Sequence, residues 1–196
     1  MKALLALFLA TALLAGCSGM RTVTSEVSSY GDWPADRKPG TFVFDRLPSQ
    51  QAMAADTEKL ENAARGALAK AGFQPAAEGQ APDLLVQVGA RTTRTDSTVW
   101  ADPLWWRGSF GVWRPAPWPG SAWGMSMRSE SPRYDREVAL LLRDRVSGKP
   151  LFEARAVNES GTTSDSVLLP AMFEAALVDF PRLGINPRKV VVTVAP

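Results

Sequence analysis

The fold is decided by one stretch, residues Tyr134–Glu159, which reads YDREVALLLRDRVSGKPLFEARAVNE. It contains two predicted β-strands, Tyr134–Asp144 and Leu151–Glu159, each apolar at its centre. The five residues Val146–Pro150 between them include glycine and proline, as short turns do. Because two strands joined by a short turn pair antiparallel, we predict a β-hairpin here, to which the rest of the sheet is added.

Three other stretches are predicted to add strands to this sheet. Thr41–Asp45 is β-branched and aromatic, and Pro48 stops it. Asp83–Ala90 is a longer apolar stretch, and its strand is predicted to continue through Arg and Thr residues toward Val99. Val190–Val194 is a candidate last strand, which pairs either with this sheet or with another subunit; the sequence leaves both open.

Two amphipathic helices accompany the strands. The first opens at Asp56 and has apolar residues at steps of three or four, and its charged residues are predicted mostly to face away: Glu58, Lys59, Glu61, Arg65 and Lys70. The second runs from about Ser166 to Phe180. Its Pro170 is predicted to lie in the first turn, where a missing N–H costs little. The apolar faces are Leu60, Ala64, Ala67, Leu68 and Ala71 in the first helix, and Leu169, Met172, Phe173, Ala176, Leu177 and Phe180 in the second.

The element order, β-α-β-β-β-α with extra strands at either end, predicts an α+β fold: one mixed or antiparallel sheet with two helices on one face. A long Trp- and Pro-rich loop is predicted between strands two and three. We predict a cleaved signal peptide over 1–16, a lipid anchor and tether over 17–40, and a single domain over 41–196 with an inserted loop at 99–133. In the tether, Val23–Val27 alternates, so a short first strand is an alternative to an irregular lead-in.

The N-terminus has the layout of a signal peptide, with one cation, Lys2, before an apolar run. That run is about 13 residues long, short of the roughly 20 that cross a bilayer as a helix. It ends in Leu14-Ala15-Gly16-Cys17, which resembles the bacterial lipobox. The resemblance implies a diacylglycerol on Cys17 and an N-acyl chain such as palmitate, and more than one acyl chain makes membrane attachment stable. An ordinary secretory signal with a chance cysteine is the alternative.

The residue after this cysteine is Ser18 rather than aspartate. By resemblance to enterobacterial sorting rules, this favours the periplasmic face of the outer membrane over the inner membrane. Cys17 is the chain's single cysteine, so no disulfide forms within the chain once it is acylated, and the fold depends on its apolar core.

The composition excludes several classes of chemistry. The chain has no histidine, which removes Ser-His-Asp and Cys-His catalysis, and the lone cysteine leaves no thiolate or histidine set for zinc, haem or iron–sulfur groups. We find no phosphate-binding glycine loop, and the formal net charge is only +2. We therefore predict no enzyme, no cofactor, no metal and no nucleic-acid partner.

Carboxylates remain the one route to catalysis. Asp45, Asp83 and Asp135 lie near predicted strand ends, where a glycosidase-like acid/base pair is conceivable. Aspartate is common at such positions for turn and capping reasons, and we prefer that interpretation.

The most unusual segment is Val99–Met127, which holds six of the seven tryptophans, interrupted by prolines and glycines. Tryptophan is favoured at protein interfaces, at membrane–water boundaries and against sugar rings. The alternative is that the loop folds back and buries its rings on its own sheet. The candidate partner-binding residues are Trp100, Trp105, Trp106, Trp113, Trp118 and Trp123.

A mild basic bias surrounds this segment. From Arg91 to Arg145 there are nine arginines and six acids. Arginine beside aromatic residues suits phosphate or carboxylate groups, such as those of lipid headgroups. A solvated strand face with exposed ion pairs explains the same pattern, and we prefer that explanation.

Four short motifs occur in a familiar order: Phe42-Val43-Phe44-Asp45, Ala71-Gly72-Phe73, Pro82-Asp83-Leu84-Leu85-Val86 and Asp179-Phe180-Pro181. The series resembles the proteobacterial lipoproteins of the DUF4136 family over roughly residues 20–182. The resemblance implies an α+β lipoprotein of the cell envelope with no established enzymatic role, and it supplies no catalytic residues. The tryptophan-rich segment and the valine-rich tail depart from the family pattern.

These observations together predict a membrane-anchored, non-enzymatic binding or accessory module. A glycan- or anionic-lipid-binding envelope protein and a carboxylate hydrolase are the alternatives.

Overall fold

The computed structural model describes residues 21–95, 133–160 and 165–194. Within them it shows one mixed sheet of seven strands and three helices. The α+β class and the mixed sheet are as predicted, but the prediction had two helices rather than three. In chain order the elements are β1 Arg21–Gly31, β2 Thr41–Phe44, α1 Pro48–Ala52, α2 Ala54–Lys70, β3 Gln74–Pro75, β4 Leu84–Thr95, β5 Arg133–Asp144, β6 Pro150–Ser160, α3 Asp165–Leu177 and β7 Arg188–Val194.

The strands lie in the order β3-β2-β4-β5-β6-β1-β7. The predicted hairpin is β5–β6, whose register runs from Tyr134 opposite Ser160 to Leu142 opposite Phe152. β2 is parallel to β3 and β4, and every other pair is antiparallel. One end of the sheet therefore carries the start of β1 and β5 and the end of β4, β6 and β7; we call it the upper end. The lower end carries the β5–β6 turn.

The helices α2 and α3 pack against each other and cover one face of the sheet. Successive side chains of a strand point to opposite faces, so every second residue faces the helices. The buried strand residues follow this alternation. The opposite, open face carries charged and half-buried residues instead. The side chains of this core that are fully buried include Val27, Leu68, Phe73, Leu84, Val86, Val138, Leu140, Leu142, Phe152, Met172 and Phe173.

Strand β1 is longer than the short strand over Val23–Val27 that the sequence suggested. Its eleven residues Arg21–Gly31 pair with β6 on one side and β7 on the other. The Ser- and Thr-rich composition resembles a tether, but burial of alternate residues, Val23 and Val27 among them, between two strands outweighs that local tendency.

Most of the charged residues of α2 are exposed, as predicted, with Glu61 as an exception. Its side chain is 3% exposed and binds Arg46 through two hydrogen bonds of 2.6 and 2.7 Å. This carboxylate raises the pKa of the Arg46 guanidinium. Pro170 lies in the second turn of α3 rather than the first, because the helix begins at Asp165. There it cannot donate the usual hydrogen bond to the carbonyl of Ser166.

The lower end is closed by an aromatic cluster. Trp33, the one tryptophan among the described residues, meets the rings of Phe73 and Phe180 edge-on at 5.8 and 4.8 Å between centroids. Its indole N–H donates to the carbonyl of Arg37 at 2.9 Å. Arg37 in turn forms a 2.9 Å ion pair with Asp144 at the end of β5. These contacts hold the segment between β1 and β2 against the lower end of the sheet.

Candidate functional site

A cleft of about 850 Å³ opens toward the upper end between the first turns of α2 and α3. Its walls and floor are mostly apolar, and polar groups lie at its rim. The residues that line it are Gln50, Met53, Asp56, Thr57, Lys59, Leu60, Asn62, Ala63, Gly89, Ala90, Asp165, Ser166, Leu169 and Pro170.

The cleft exists because the helical layer stops covering β4 partway along the strand. Leu84, Val86 and Val88 are buried beneath the helices, but Ala90, the next residue on that face, is exposed. Gly89 and Ala90 line the cleft; Gly89 has no side chain, and Ala90 contributes only its methyl group. The floor of the cleft is therefore bare backbone and one methyl group.

The wall on the α2 side is held by hydrogen bonds. The Gln50 side-chain amide donates to the carbonyl of Val88 at 2.7 Å, which ties α1 to β4. The Thr57 hydroxyl donates to the carbonyl of Gln50 at 2.9 Å, which ties α2 to α1. The Gln50 side-chain oxygen also accepts the N–H of Leu47 at 3.0 Å.

The wall on the α3 side is held by an arginine from the sheet. Arg136 on β5 is buried, and its Nε donates to Oδ1 of Asp165 at 2.8 Å. One of its terminal nitrogens donates to the hydroxyl of Ser160 at 3.1 Å. Both walls are therefore fixed relative to the floor, so the cleft is preformed.

Two more buried polar side chains lie on β6 and β1, the next two strands after β5 in the sheet. Asn158, opposite Arg136 on β6, donates its amide to the carbonyl of Thr24 at 2.7 Å. Its Oδ1 and the hydroxyl of Ser25 on β1 are buried without a hydrogen-bond partner in the described structure. A buried polar atom of this kind costs about 1–3 kcal/mol.

The charges at the rim of the cleft do not favour an anion. Asp56 and Asp165 lie in the first turns of α2 and α3, where they compensate the positive ends of the helix dipoles. Lys59 forms an exposed 3.0 Å ion pair with Asp56. Asp165 is likewise paired with Arg136, so each acid of the lining has a basic partner and the rim has no excess charge. The cleft suits an uncharged apolar group.

The predicted site residues Cys17, Trp100, Trp105, Trp106, Trp113, Trp118 and Trp123 lie outside the described residues. The strand ends that are closest to them in sequence are among the described residues. Thr95, the last residue of β4, pairs with Arg133, the first of β5, at the upper end. Arg21, four positions after Cys17, begins β1 at the same end. The chain positions that lead to both predicted sites therefore share one end of the domain with the cleft.

The three candidate carboxylates are not brought together. Along β4, Asp83 and the partner of Asp135, Thr93, are ten residues apart, roughly 34 Å at the rise of a strand. Asp45 lies beside Gln87, roughly 14 Å from Asp83 by the same measure. A glycosidase pair needs a separation of about 5–10 Å.

Asp83 and Asp45 each form hydrogen bonds with a neighbouring strand residue. Asp83 accepts the N–H and the hydroxyl of Thr41, both at 2.8 Å, and these bonds lower the pKa of its carboxyl group. Asp45 accepts the amide of Gln87 at 2.9 Å. Among the described residues, no group of three or more acidic, histidine or cysteine side chains is placed to hold a metal ion.

Three arginines of the basic stretch form contacts within the fold. Arg91 forms an exposed 3.2 Å ion pair with Glu137 across β4 and β5. Arg136 is bound to Asp165, and Arg145 donates to the carbonyl of Pro82 at 2.8 Å. Of these three contacts, that of Arg91 is the exposed ion pair of the preferred interpretation, whereas Arg136 is buried and Arg145 binds a backbone carbonyl.

Residues 26–182 match the model of a family described as Domain of unknown function (DUF4136). The chain belongs to the DUF4136 family. The DUF4136 match begins inside β1 and ends before β7, so the last strand lies beyond it. A search of curated proteins finds no match to this DUF4136 chain.

Solved structures similar to this DUF4136 chain are remote. A PDZ domain protein from Parabacteroides distasonis ATCC 8503 aligns with 93% of the chain at 14% identity and a TM-score of 0.47. The chain spans 42% of the length of that protein. A PelC dodecamer from Paraburkholderia phytofirmans aligns over 78% of the chain and 94% of its own, at 11% identity and a TM-score of 0.41.

Proposed function

We propose that this DUF4136 chain is a membrane-anchored, non-enzymatic binding or accessory module of the cell envelope. Its contact surface is the upper end: the cleft between α2 and α3 together with the six tryptophans of residues 99–127. One observation carries the proposal. The apolar cleft opens at the same end of the domain as the strand termini that lead to Cys17 and to the tryptophan-rich segment.

The lipid anchor determines which end faces the membrane. Only residues 18–20 separate Cys17 from Arg21, the start of β1. Four peptide units extend at most about 14 Å. With lipid on Cys17, the upper end therefore stays next to the bilayer, and the lower end points away from it. Ser18 favours the periplasmic face of the outer membrane. Among the described residues no helix is long and apolar enough to cross a membrane.

A protein partner suits the cleft better than an anionic lipid or glycan. The cleft is apolar between Leu60 and Leu169, and both acids of its rim are ion-paired. An apolar side chain in a preformed pocket, with aromatic residues nearby, is the usual arrangement of an interface hot spot. An anionic headgroup would instead meet Lys59 and Arg136, whose charges are already paired with Asp56 and Asp165. The glycan and anionic-lipid alternatives therefore rest on the tryptophans and arginines of the sequence rather than on the cleft.

A hydrolase receives no support from the carboxylates that the sequence singled out. Asp83 is engaged with Thr41, Asp45 with Gln87, and the separations exceed those of an acid/base pair. The proposal therefore assigns no catalytic residue.

The experiment fills the cleft and asks whether a partner is lost. Full-length wild-type protein and an Ala90→Trp variant are recovered under mild detergent from cells that make them, and the co-purified proteins are quantified. Val146→Trp, which places the same side chain at an exposed position of the lower end, is the matched control. We expect a stoichiometric partner with wild type and Val146→Trp and at least tenfold less of it with Ala90→Trp. Equal recovery with all three proteins would rule out the cleft as the contact surface.

A further inference from the structure

The last strand leaves one edge of the sheet open. β7 pairs with β1 in a regular register of seven consecutive pairs, from Arg188 opposite Val27 to Val194 opposite Arg21. No other strand of the described residues lies beyond it. Its start is fixed, since Arg188 bridges to Asp179 at 2.7 Å. β7 is therefore an ordered strand with one side unpaired in the described sheet.

Two side-chain contacts show which backbone groups of β7 point outward. Asn186 exchanges hydrogen bonds with the N–H and carbonyl of Ser29 at 2.9 and 2.7 Å, so Ser29 directs its backbone toward β7. Thr24 directs its carbonyl toward β6, where Asn158 binds it. Backbone direction alternates along an antiparallel strand.

The residues of β1 that face β7 are therefore the odd-numbered ones. Their partners, Val190 and Val192 among them, spend their backbone groups on β1. Lys189, Val191 and Thr193 then direct three N–H and three carbonyl groups away from the sheet.

Lys189 places one charge at the start of this edge, but the last five residues, Val190–Val194, lack the devices that usually blunt an edge strand. Between Val190 and Val194 there is no charge, no proline and no register shift. The opposite edge of the sheet is different: β3 has only two residues and includes Pro75. An open, regular, valine-rich edge is a template for another strand.

A shallow groove runs beside the open edge on the helical face. It has a volume of about 240 Å³ and lies between β7 and α3, with Val167 and Ala171 on one side and Val192 and Val194 on the other. A strand edge beside a helix is the arrangement to which an extended segment adds, with alternate side chains entering the groove.

We propose that the occupant of this edge is β7 of a second copy of the chain, paired antiparallel about a two-fold axis at Val191. In this register Val191 faces Val191 of the second copy, and Lys189 faces Thr193 of the second copy. All three outward-pointing residues then bind a partner through both backbone groups. The two Lys189 residues are kept apart, and Val190 faces Val192 of the second copy above the groove.

Self-complementarity is the reason for choosing a second copy. The unpaired residues are spaced symmetrically about Val191, and charge occurs at one end of the strand only, so an antiparallel copy avoids like-charge contact. This inference does not depend on the lipid anchor or on the cleft.

Disulfide trapping tests the register in purified full-length protein. In a Val191→Cys variant the two Cα atoms would lie about 5.5 Å apart, within disulfide range. We expect mild oxidation to convert most of this variant to a covalent dimer on a non-reducing gel. Val146→Cys, which is also exposed but lies at the lower end, and wild type, which retains only Cys17, should stay monomeric. Equal dimer in Val191→Cys and Val146→Cys would overturn the proposal.

A measurement without cysteine gives an independent answer. Val191→Lys places like charges opposite each other and leaves the hydrogen bonds to β1 intact, since Val191 does not face β1. In density-matched detergent, sedimentation equilibrium should show wild-type dimer and a Val191→Lys monomer with unchanged circular dichroism. A wild-type monomer at high micromolar concentration, or a dimer unaffected by Val191→Lys, would overturn the proposal.

Discussion

Arg136 and Asp165 join the central strand of the sheet to the first residue of α3. The arginine Nε donates to the aspartate Oδ1 at 2.8 Å; the arginine side chain is 2% exposed and the aspartate 56%. The pair thus reaches from the core to the surface beside the cleft. It fixes the helix start that forms one wall of the proposed contact surface.

Replacing Arg136 with methionine should destabilise the domain, because the contacts to Asp165 and Ser160 are lost. Hydrogen bonds to charged groups contribute about 1.5–3 kcal/mol, and we expect a loss of about 2 kcal/mol in the free energy of unfolding, measured by urea denaturation. Arg155→Met is the control, since Arg155 forms exposed ion pairs with Glu153 and Glu137, worth about 1 kcal/mol at most. Equal losses in the two variants would contradict a structural role specific to Arg136.

The aromatic cluster at the lower end should be a major source of stability. Phe73 is fully buried and packs against Trp33 and Phe180. Phe73→Ala removes these contacts and leaves a cavity, so we expect a loss of about 3–5 kcal/mol in the free energy of unfolding. Val146→Ala, at an exposed turn, should change it by no more than about 0.5 kcal/mol. A loss below 1 kcal/mol for Phe73→Ala would show that the cluster is not packed as described.

Acid should weaken the lower end through Asp144 and Asp83. The N–H and hydroxyl of Ser147, then Arg37, hold the pKa of Asp144 well below its usual range, and Thr41 lowers that of Asp83. A carboxyl group with a depressed folded-state pKa stabilises the fold above its unfolded pKa of about 3.9. This contribution is lost as the pH falls from about 5 through the folded values.

Asp144→Asn should therefore unfold at a lower temperature than wild type at pH 7 and show a shallower decline below pH 5. Thermal unfolding followed across this pH range measures both. Asp32→Asn, whose carboxyl is 90% exposed and 3.9 Å from Lys149, should follow the wild-type curve. If Asp144→Asn also follows it, the hydrogen bonds to Asp144 do not stabilise the fold.

The anchor itself is tested at Cys17. We expect the intact mass of the purified protein to correspond to a chain that starts at Cys17 and carries acyl groups. Cys17→Ser should remove the acyl mass and release the protein from the membrane fraction. Ser18→Ala is the control and should retain both the acyl mass and the membrane fraction. An unmodified wild-type chain starting at Met1 or Ser18 would contradict lipidation.

The sequence predicts those parts of the fold that depend on local pattern. The hairpin β5–β6, strand β4 and the two long helices follow from periodicity and turn composition within each segment. Strand β1 was only partly predicted, because its Ser- and Thr-rich residues form a strand by pairing with β6 and β7, which are distant in sequence. The burial of Glu61 depends likewise on Arg46, which no helical periodicity reveals.

The cleft was not predicted, although a signal for it exists. Gly89 and Ala90, small residues at the end of the apolar run of β4, mark the place where the helical cover stops. Their meaning depends on where α2 and α3 begin relative to the sheet, which is a tertiary property. The exclusion of a carboxylate pair also needed the register, because sequence distance alone cannot place Asp83 and Asp135 at opposite ends of neighbouring strands.

The most direct test of the proposed function is photocrosslinking in intact cells from Met53 at the mouth of the cleft. A photoreactive residue replaces Met53 in one strain and Val146, at the lower end, in another; both positions are exposed. We expect Met53 to crosslink one envelope protein in high yield and Val146 not to crosslink it. A Met53 position that crosslinks nothing, or the same proteins as Val146, would contradict the upper end as the contact surface.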